Sequence, residues 1–287
     1  MIDSHCHLDL LAQKKDLHIA LQNAKGAGVT RIMAPSINPQ SWQALQALSE
    51  QYRNLLPIDT ALGLHPYFLT DSGREDAVKA RDTNNQTLIQ NLVQLKAAVT
   101  NLHPSVKAVG ETGIDGHISV PLALQKEVLQ THLKLADKAS LPVILHHRKS
   151  HHLLLEGLKQ AKYQGVGVVH AFSGSVEAAK GYIERGMYLG IGGTITYERA
   201  QKTRNTLGFL LEHHFDRLLL ETDAPDMPMC GRQGEANEPG YLSDVVDVMS
   251  NIFNVSCEEI VSTTTANYHR LFKINTDGEA ETPDFPL

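Results

Sequence analysis

Eight short apolar runs, separated by stretches of helical spacing, constrain the fold of this chain more than any other feature. The runs cover residues 2–7, 29–35, 58–64, 106–114, 142–148, 167–173, 188–195 and 218–224, and their length and period read as strands. Between them apolar residues recur at helical spacing, as in 41–52 and 122–139. In the second of these Leu122, Val128, Leu129, Leu133, Leu135 and Ala136 are expected to form a core face. Strand followed by helix, repeated, predicts a parallel sheet, and runs without strict alternation suit strands covered on both faces. Eight such units predict an α/β fold, a (β/α)8 TIM-type barrel. A length of 287 residues fits one barrel domain, placed at residues 1–273. The remainder, 274–287, is rich in Asp, Glu, Thr and Pro and is expected to be a loosely ordered acidic tail. Residues 73–86 read as a polar surface insertion before a helix that starts near Thr87.

In such a barrel, polar groups at the C-terminal strand ends converge on one mouth. Here those positions carry His5 and His7, Glu111, His146, His170 and Asp223. Side chains alternate along a strand, so His5 and His7 face one way and can share an ion. Cys6 faces the other way and is expected to be a small buried apolar group rather than a ligand. Most of the 15 histidines, among them His18, His103, His117, His132, His151, His152, His213, His214 and His269, lie in helices or loops and read as ordinary hydrogen-bonded residues. A lone His-x-His is weak, and what carries a metal-site reading is the recurrence of donors at five strand ends.

Histidine nitrogens combined with carboxylate oxygens suit zinc or manganese, with nickel, cobalt, iron or magnesium as alternatives. Two divalent ions roughly 3.5 to 4 Å apart would clamp the attacking and leaving oxygens of an in-line displacement and activate a water. Asp223 would then serve as general base. His65, before Pro66, reads either as a phosphate or leaving-group contact or as a histidine steadying a ligand. Arg148 shares a face with His146; it suits bidentate phosphate binding, or else pairs with Glu111 or Glu221. Glu221, on the face of Asp223, reads as a buried carboxylate behind the ligands. The Gly192-Gly193 turn could bring backbone amides close to a phosphate. No phosphate-binding or dinucleotide glycine pattern occurs, so no nucleotide cofactor is expected.

Composition sets further limits. Mean hydropathy is −0.22, and no basic-then-apolar stretch precedes the first strand, so a cytoplasmic protein with no membrane partner is expected. Three cysteines, Cys6, Cys230 and Cys257, have no paired spacing, and reduced thiols are expected. The formal net charge of −6 argues against coating a duplex, which calls for a basic face. Arg148, Lys149, Arg199, Lys202, Arg204 and Arg232 are the candidates for a short phosphate track, with solvated surface charge as the plainer alternative.

The run Ile2-Asp3-Ser4-His5-Cys6-His7-Leu8-Asp9 resembles the opening of the TatD family of metal-dependent hydrolases and DNases. So do Gly63-Leu64-His65-Pro66, Val109-Gly110-Glu111-Thr112-Gly113-Ile114-Asp115, Leu145-His146-His147-Arg148, His170-Ala171-Phe172-Ser173-Gly174-Ser175 and Leu220-Glu221-Thr222-Asp223-Ala224-Pro225. The resemblance runs in order to about residue 272. The stretch Gly190-Ile191-Gly192-Gly193-Thr194-Ile195-Thr196-Tyr197 is similar to one bacterial branch of that family. The resemblance implies that His5, His7, Glu111 and Asp223 hold one divalent ion, and that Glu111, His146 and His170 hold a second, with Glu111 bridging. It implies a deoxyribonuclease with Asp223 and Glu111 in the catalytic machinery; together with His65 and Arg148 at the mouth and the negative net charge, it makes single-stranded or frayed DNA ends the expected substrate and these two residues its expected contacts. The alternatives are a small-molecule esterase, amidase or phosphatase using the same site, and a metal-binding protein without turnover.

Overall fold

The computed structural model describes residues 1–70 and 83–274. Eight parallel strands form one sheet in sequence order: β1 (Ile2–Asp3), β2 (Arg31–Pro35), β3 (Ile58–Leu62), β4 (Val106–Asp115), β5 (Val143–Arg148), β6 (Gly167–Val169), β7 (Met187–Ile191) and β8 (Leu218–Leu220). The helices, in chain order, are α1 (Leu8–Leu11), α2 (Leu17–Gly26), α3 (Pro39–Tyr52), α4 (Thr83–Thr100), α5 (Leu122–Ala139), α6 (His151–Ala161), α7 (Val176–Ile183), α8 (Gln201–His213), α9 (Leu242–Phe253) and α10 (Cys257–Phe272). The sheet closes where the Ser4 N–H donates to Leu220 O at 2.8 Å, His7 N–H donates to Ala224 O at 2.7 Å, and Asp223 N–H donates to His5 O at 2.9 Å. The expected barrel is therefore present.

Alternation along the strands sorts the core into two layers. One side chain from each strand, Ile2, Met33, Ala61, Ala108, Ile144, Val168, Tyr188 and Leu219, fills the barrel interior, and Tyr268, Leu271 and Phe272 of α10 close its floor. Their neighbours, including Ile32, Ala34, Leu62, Val109, Leu145, Leu189 and Leu220, pack outward against the helices. Both faces are buried, which is why these strands read as unbroken apolar runs. Each buried branched or aromatic side chain contributes on the order of 1.5 to 3 kcal/mol. Polar contacts fasten the floor: Arg31 Nη1 donates to Asp59 Oδ1 at 3.0 Å and Tyr268 Oη to Asp59 Oδ2 at 2.7 Å.

Several boundaries depart from the sequence reading. The β1, β6 and β8 ladders stop at Asp3, Val169 and Leu220, ahead of the donors, because the chain leaves the sheet to reach the mouth. Ala171 and Asp223 there adopt φ of 47° and 58°, a left-handed conformation that no strand accommodates. Helix α4 begins at Thr83, earlier than expected, since Thr83-Asn84-Asn85-Gln86 is a polar first turn that a composition reading takes for loop. The rest of the proposed insertion, and the proposed tail from Asn275, lie outside the described residues. Leu122, expected in the core face of α5, is 43% exposed, whereas Val128, Leu129, Leu133 and Ala136 are buried as expected. Among the described residues no helix is long and apolar enough to cross a membrane.

Candidate metal centre

Glu111 stands at the centre of the mouth, fully buried. Its two carboxylate oxygens face different groups of imidazoles. Oε2 lies 3.2 Å from His5 Nε2 and 3.4 Å from His7 Nε2. Oε1 lies 2.7 Å from His170 Nε2, 3.0 Å from His146 Nδ1 and 3.3 Å from His65 Nε2. Asp223 Oδ1 is 3.7 Å from both His5 and His7 Nε2, so it joins the first group. The structure thus brings together all six residues picked out at the strand ends, and adds His65.

The backbone explains how side chains from five strand ends meet. Beyond β1 the chain stays extended enough to set His5 and His7 Nε2 3.3 Å apart, while Cys6 turns into the core between barrel and helices. The β4 ladder shifts register between Val109 and Thr112, where Glu111 enters the mouth. Gly113 permits the close approach of β4 to β5: a Cβ there would lie 2.0 Å from the His146 carbonyl oxygen.

A second set of groups holds these donors. Asp115 Oδ2 lies 3.4 Å from His146 Nε2, orienting that ring so that Nδ1 faces Glu111. His7 Nδ1 faces Pro35 O at 3.3 Å. Glu221 is fully buried; its Oε1 accepts from Ala171 N–H and sits 3.9 Å from His170 Nδ1, as expected of a carboxylate behind the ligands. Asp3 accepts from Thr222 and from His5 N–H. Such groups behind a ligand fix its tautomer and orientation. Asp3 and Asp115 escaped the sequence reading although both lie in its motifs; their spacing of two and four residues from His5 and Glu111 was the available signal.

The electrostatics suit cation binding. Burial pushes His5 and His7 down to about 4 and His170 to about 3, so their nitrogens are neutral and carry free lone pairs near neutral pH. Burial also opposes charge on His146, but hydrogen bonds to Asp115 and Glu111 outweigh it and raise that ring to about 9. Desolvation would raise Glu111, yet the neighbouring imidazoles of His170, His65 and His5 hold its carboxyl well below the usual range. Asp223 is pushed well above that range, first by burial and then by the charge of Glu111. Glu111 Oε2, His5 Nδ1 and His170 Nδ1 are buried without a hydrogen-bond partner among the described residues. Three overlapping donor clusters, His5-His7-Glu111, His5-His170-Asp223 and His65-Glu111-His146, each have ligand atoms within 4.8 Å of one another. The neutral imidazoles of His5, His7 and His170 packed around crowded carboxylates fit a divalent cation, which would displace the proton that His146 holds.

These groups open into a cavity of about 700 Å³, also lined by Tyr67, Phe68, Arg148, Ser173, Thr194 and Met227. His65 Nδ1 accepts from Tyr67 N–H at 3.1 Å, which leaves Nε2 facing Glu111. Arg148 lies on the cavity wall and, among the described residues, makes no ion pair with Glu111 or Glu221. The proposed phosphate track is shorter than expected. Arg204 spends its guanidinium on Ile195 O and Thr196 O, and Arg232 on Asp244 and the Tyr241 ring, contacts across turns that local sequence does not reveal.

A family model described as TatD related DNase matches residues 2–273. The chain belongs to this family. Among its relatives, the uncharacterized metal-dependent hydrolase YjjV of Escherichia coli K12 is 38% identical over 274 residues, covering 95% of this chain and 98% of the relative. The uncharacterized metal-dependent hydrolase YabD of Bacillus subtilis is 30% identical over 277 residues, covering 96% of this chain and 100% of the relative. The crystal structure of the E. coli YjjV protein, a TatD homolog, superposes with a TM-score of 0.83 at 36% identity, covering 96% of this chain and 98% of that one. An organophosphorus hydrolase from Deinococcus radiodurans, at 14% identity and a TM-score of 0.64, shares the fold alone.

Proposed function

We propose that this TatD-family protein is a metal-dependent hydrolase that cleaves phosphodiesters at single-stranded or frayed DNA ends. The observation that carries this reading is the position of Glu111, whose two oxygens face two separate groups of histidines. His5, His7, Glu111 and Asp223 would hold one divalent ion, and Glu111, His146 and His170 a second. When bound, such ions supply Lewis acidity toward a phosphoryl oxygen and a water nucleophile. Zinc or manganese suits this donor set. Relatives described as uncharacterized metal-dependent hydrolases support the use of a metal.

The chain's own groups account for the remainder of the reaction. Water attacks phosphorus while the bond from phosphorus to the leaving deoxyribose oxygen breaks, and the water proton passes to Asp223 and from there to the leaving oxygen. Asp223 lines the cavity and is 14% exposed, within reach of substrate water, and a bound cation would hold its raised carboxyl in the ionised form the role needs. Arg148 pairs with a non-bridging phosphate oxygen, and His65, on the wall beside Glu111, contacts the leaving side. The net charge of −6 restricts favourable contact to the few phosphates at the mouth, hence a strand end rather than a long duplex.

The test is a divalent-metal panel on single-stranded DNA, bis(p-nitrophenyl) phosphate and p-nitrophenyl acetate. Metal-dependent release of nucleotides from DNA ends, slowed about 10² to 10⁴-fold in Asp223→Asn, is the expected result. Ester hydrolysis with no phosphodiesterase activity under any metal would overturn the nuclease reading in favour of a small-molecule hydrolase.

A further inference from the structure

A smaller cavity of about 380 Å³, walled by Gly193, Thr194, Tyr197, Arg199, Met227 and Pro228, lies beside the main cavity. Thr194 and Met227 also line the main cavity, so the two adjoin across these residues. The wall is built, not incidental. Tyr197 Oη donates to Pro228 O at 2.7 Å, tying the turn after β7 to the loop after β8. Thr196 Oγ1 donates to Gly193 O at 2.6 Å and accepts from Cys230 N–H at 2.9 Å. The guanidinium of Arg204 holds the same turn from below, with Nε on Ile195 O at 2.9 Å. On this fixed wall Arg199 is exposed, its guanidinium 4.9 Å from the centre of the Tyr197 ring and, among the described residues, in no ion pair. A chain of net charge −6 thus keeps an arginine without an ionic partner among the described residues in a groove that adjoins the main cavity.

We infer that this groove is a second substrate subsite, which takes the nucleotide next to the scissile phosphodiester and binds its phosphate through Arg199. The inference rests on the nuclease reading above. A guanidinium resting on an aromatic face keeps its outer N–H edge free for a phosphate, and arginine matches that anion bidentately. Thr194, Met227 and Pro228 offer the partly apolar surface that a sugar and base need. A substrate with one small ester would leave the groove empty, whereas a polynucleotide end would fill it.

The experiment compares kcat/KM for the thymidine dinucleotide, which has a single phosphodiester, with that for the trinucleotide, which adds the next phosphate. In the wild-type protein the trinucleotide should be favoured about tenfold, the worth of one charged hydrogen-bonded contact. Arg199→Ala should bring the ratio close to one, and Arg199→Lys should restore part of it. Cleavage of both substrates with no preference for the longer one, or a preference that survives Arg199→Ala, would overturn the subsite and leave the nuclease reading standing. Cleavage of neither, with bis(p-nitrophenyl) phosphate also inert, would overturn both.

Discussion

Asp3 accepts hydrogen bonds from both the backbone nitrogen of Thr222, at 3.0 Å, and its hydroxyl, at 2.6 Å, across a sequence separation of 219 residues. The pair joins the first strand to the end of the last, and it stands beside His5 on one side and Asp223 on the other. Asp3 is fully buried, and desolvation raises its carboxyl to about 7 against the hydrogen bonds from Thr222 and His5. Thr222→Val should therefore remove a donor from a buried acceptor and lower stability by about 1 to 3 kcal/mol. Thr222→Ser should lose much less. Urea unfolding of the two variants checks this, and equal midpoints would exclude a role for the hydroxyl.

Gly190 leaves room for Glu221. A Cβ at position 190 would lie 2.0 Å from Glu221 Oε2, and the glutamate, fully buried, has nowhere to retreat. Gly190→Ala should cost about 1 to 3 kcal/mol through overpacking. The cost should shrink when Glu221→Ala is already present, because the clash partner is gone. A double-mutant cycle on thermal unfolding measures this directly, and identical costs in both backgrounds would contradict the contact.

Glu111 is the residue shared by both histidine groups. Glu111→Gln should cut bound divalent metal at both positions, because one carboxylate oxygen becomes an amide that donates instead of accepting. Elemental analysis after dialysis should then find well under half of the wild-type content, and added metal should no longer raise the melting temperature. Full loading in the variant would mean that Glu111 does not bridge.

His132 gives a pH-dependent contribution away from the donors. It is fully buried in α5, accepts from Leu64 N–H through Nε2 at 3.0 Å, and faces Val128 O through Nδ1 at 2.8 Å. Burial lowers it from 6.5 to about 4. Between those values the unfolded chain takes up a proton that the folded one refuses. Stability from this residue is therefore intact above about pH 6.5 and is lost as pH falls toward 4, on the order of 3 kcal/mol in all. His132→Gln keeps an acceptor for Leu64 and should flatten the acid limb of the stability curve. An unchanged slope in denaturant titrations from pH 7 to 4.5 would rule this out.

The barrel and the six strand-end donors were legible in the sequence because both follow from local pattern. Run length sets strand against helix, and in a closed parallel barrel every strand delivers its last residues to one mouth, so position along the strand already says where His5, Glu111, His146, His170 and Asp223 go. Sequence alone could not say which atoms meet. The bridging place of Glu111 comes from the family resemblance rather than from local pattern, and that His65 stands in the donor cluster, that Asp115 orients His146, and that Asp3 reaches Thr222 depends on register shifts and on strand closure between residues far apart in the chain. The same holds for the arginines: Arg204 and Arg232 are committed to carbonyls and to Asp244, and Arg199 is left in the groove. Local periodicity determines the elements, because it is set by neighbours three or four residues away. The partners of buried polar groups are decided only when packing brings distant strands within hydrogen-bond range.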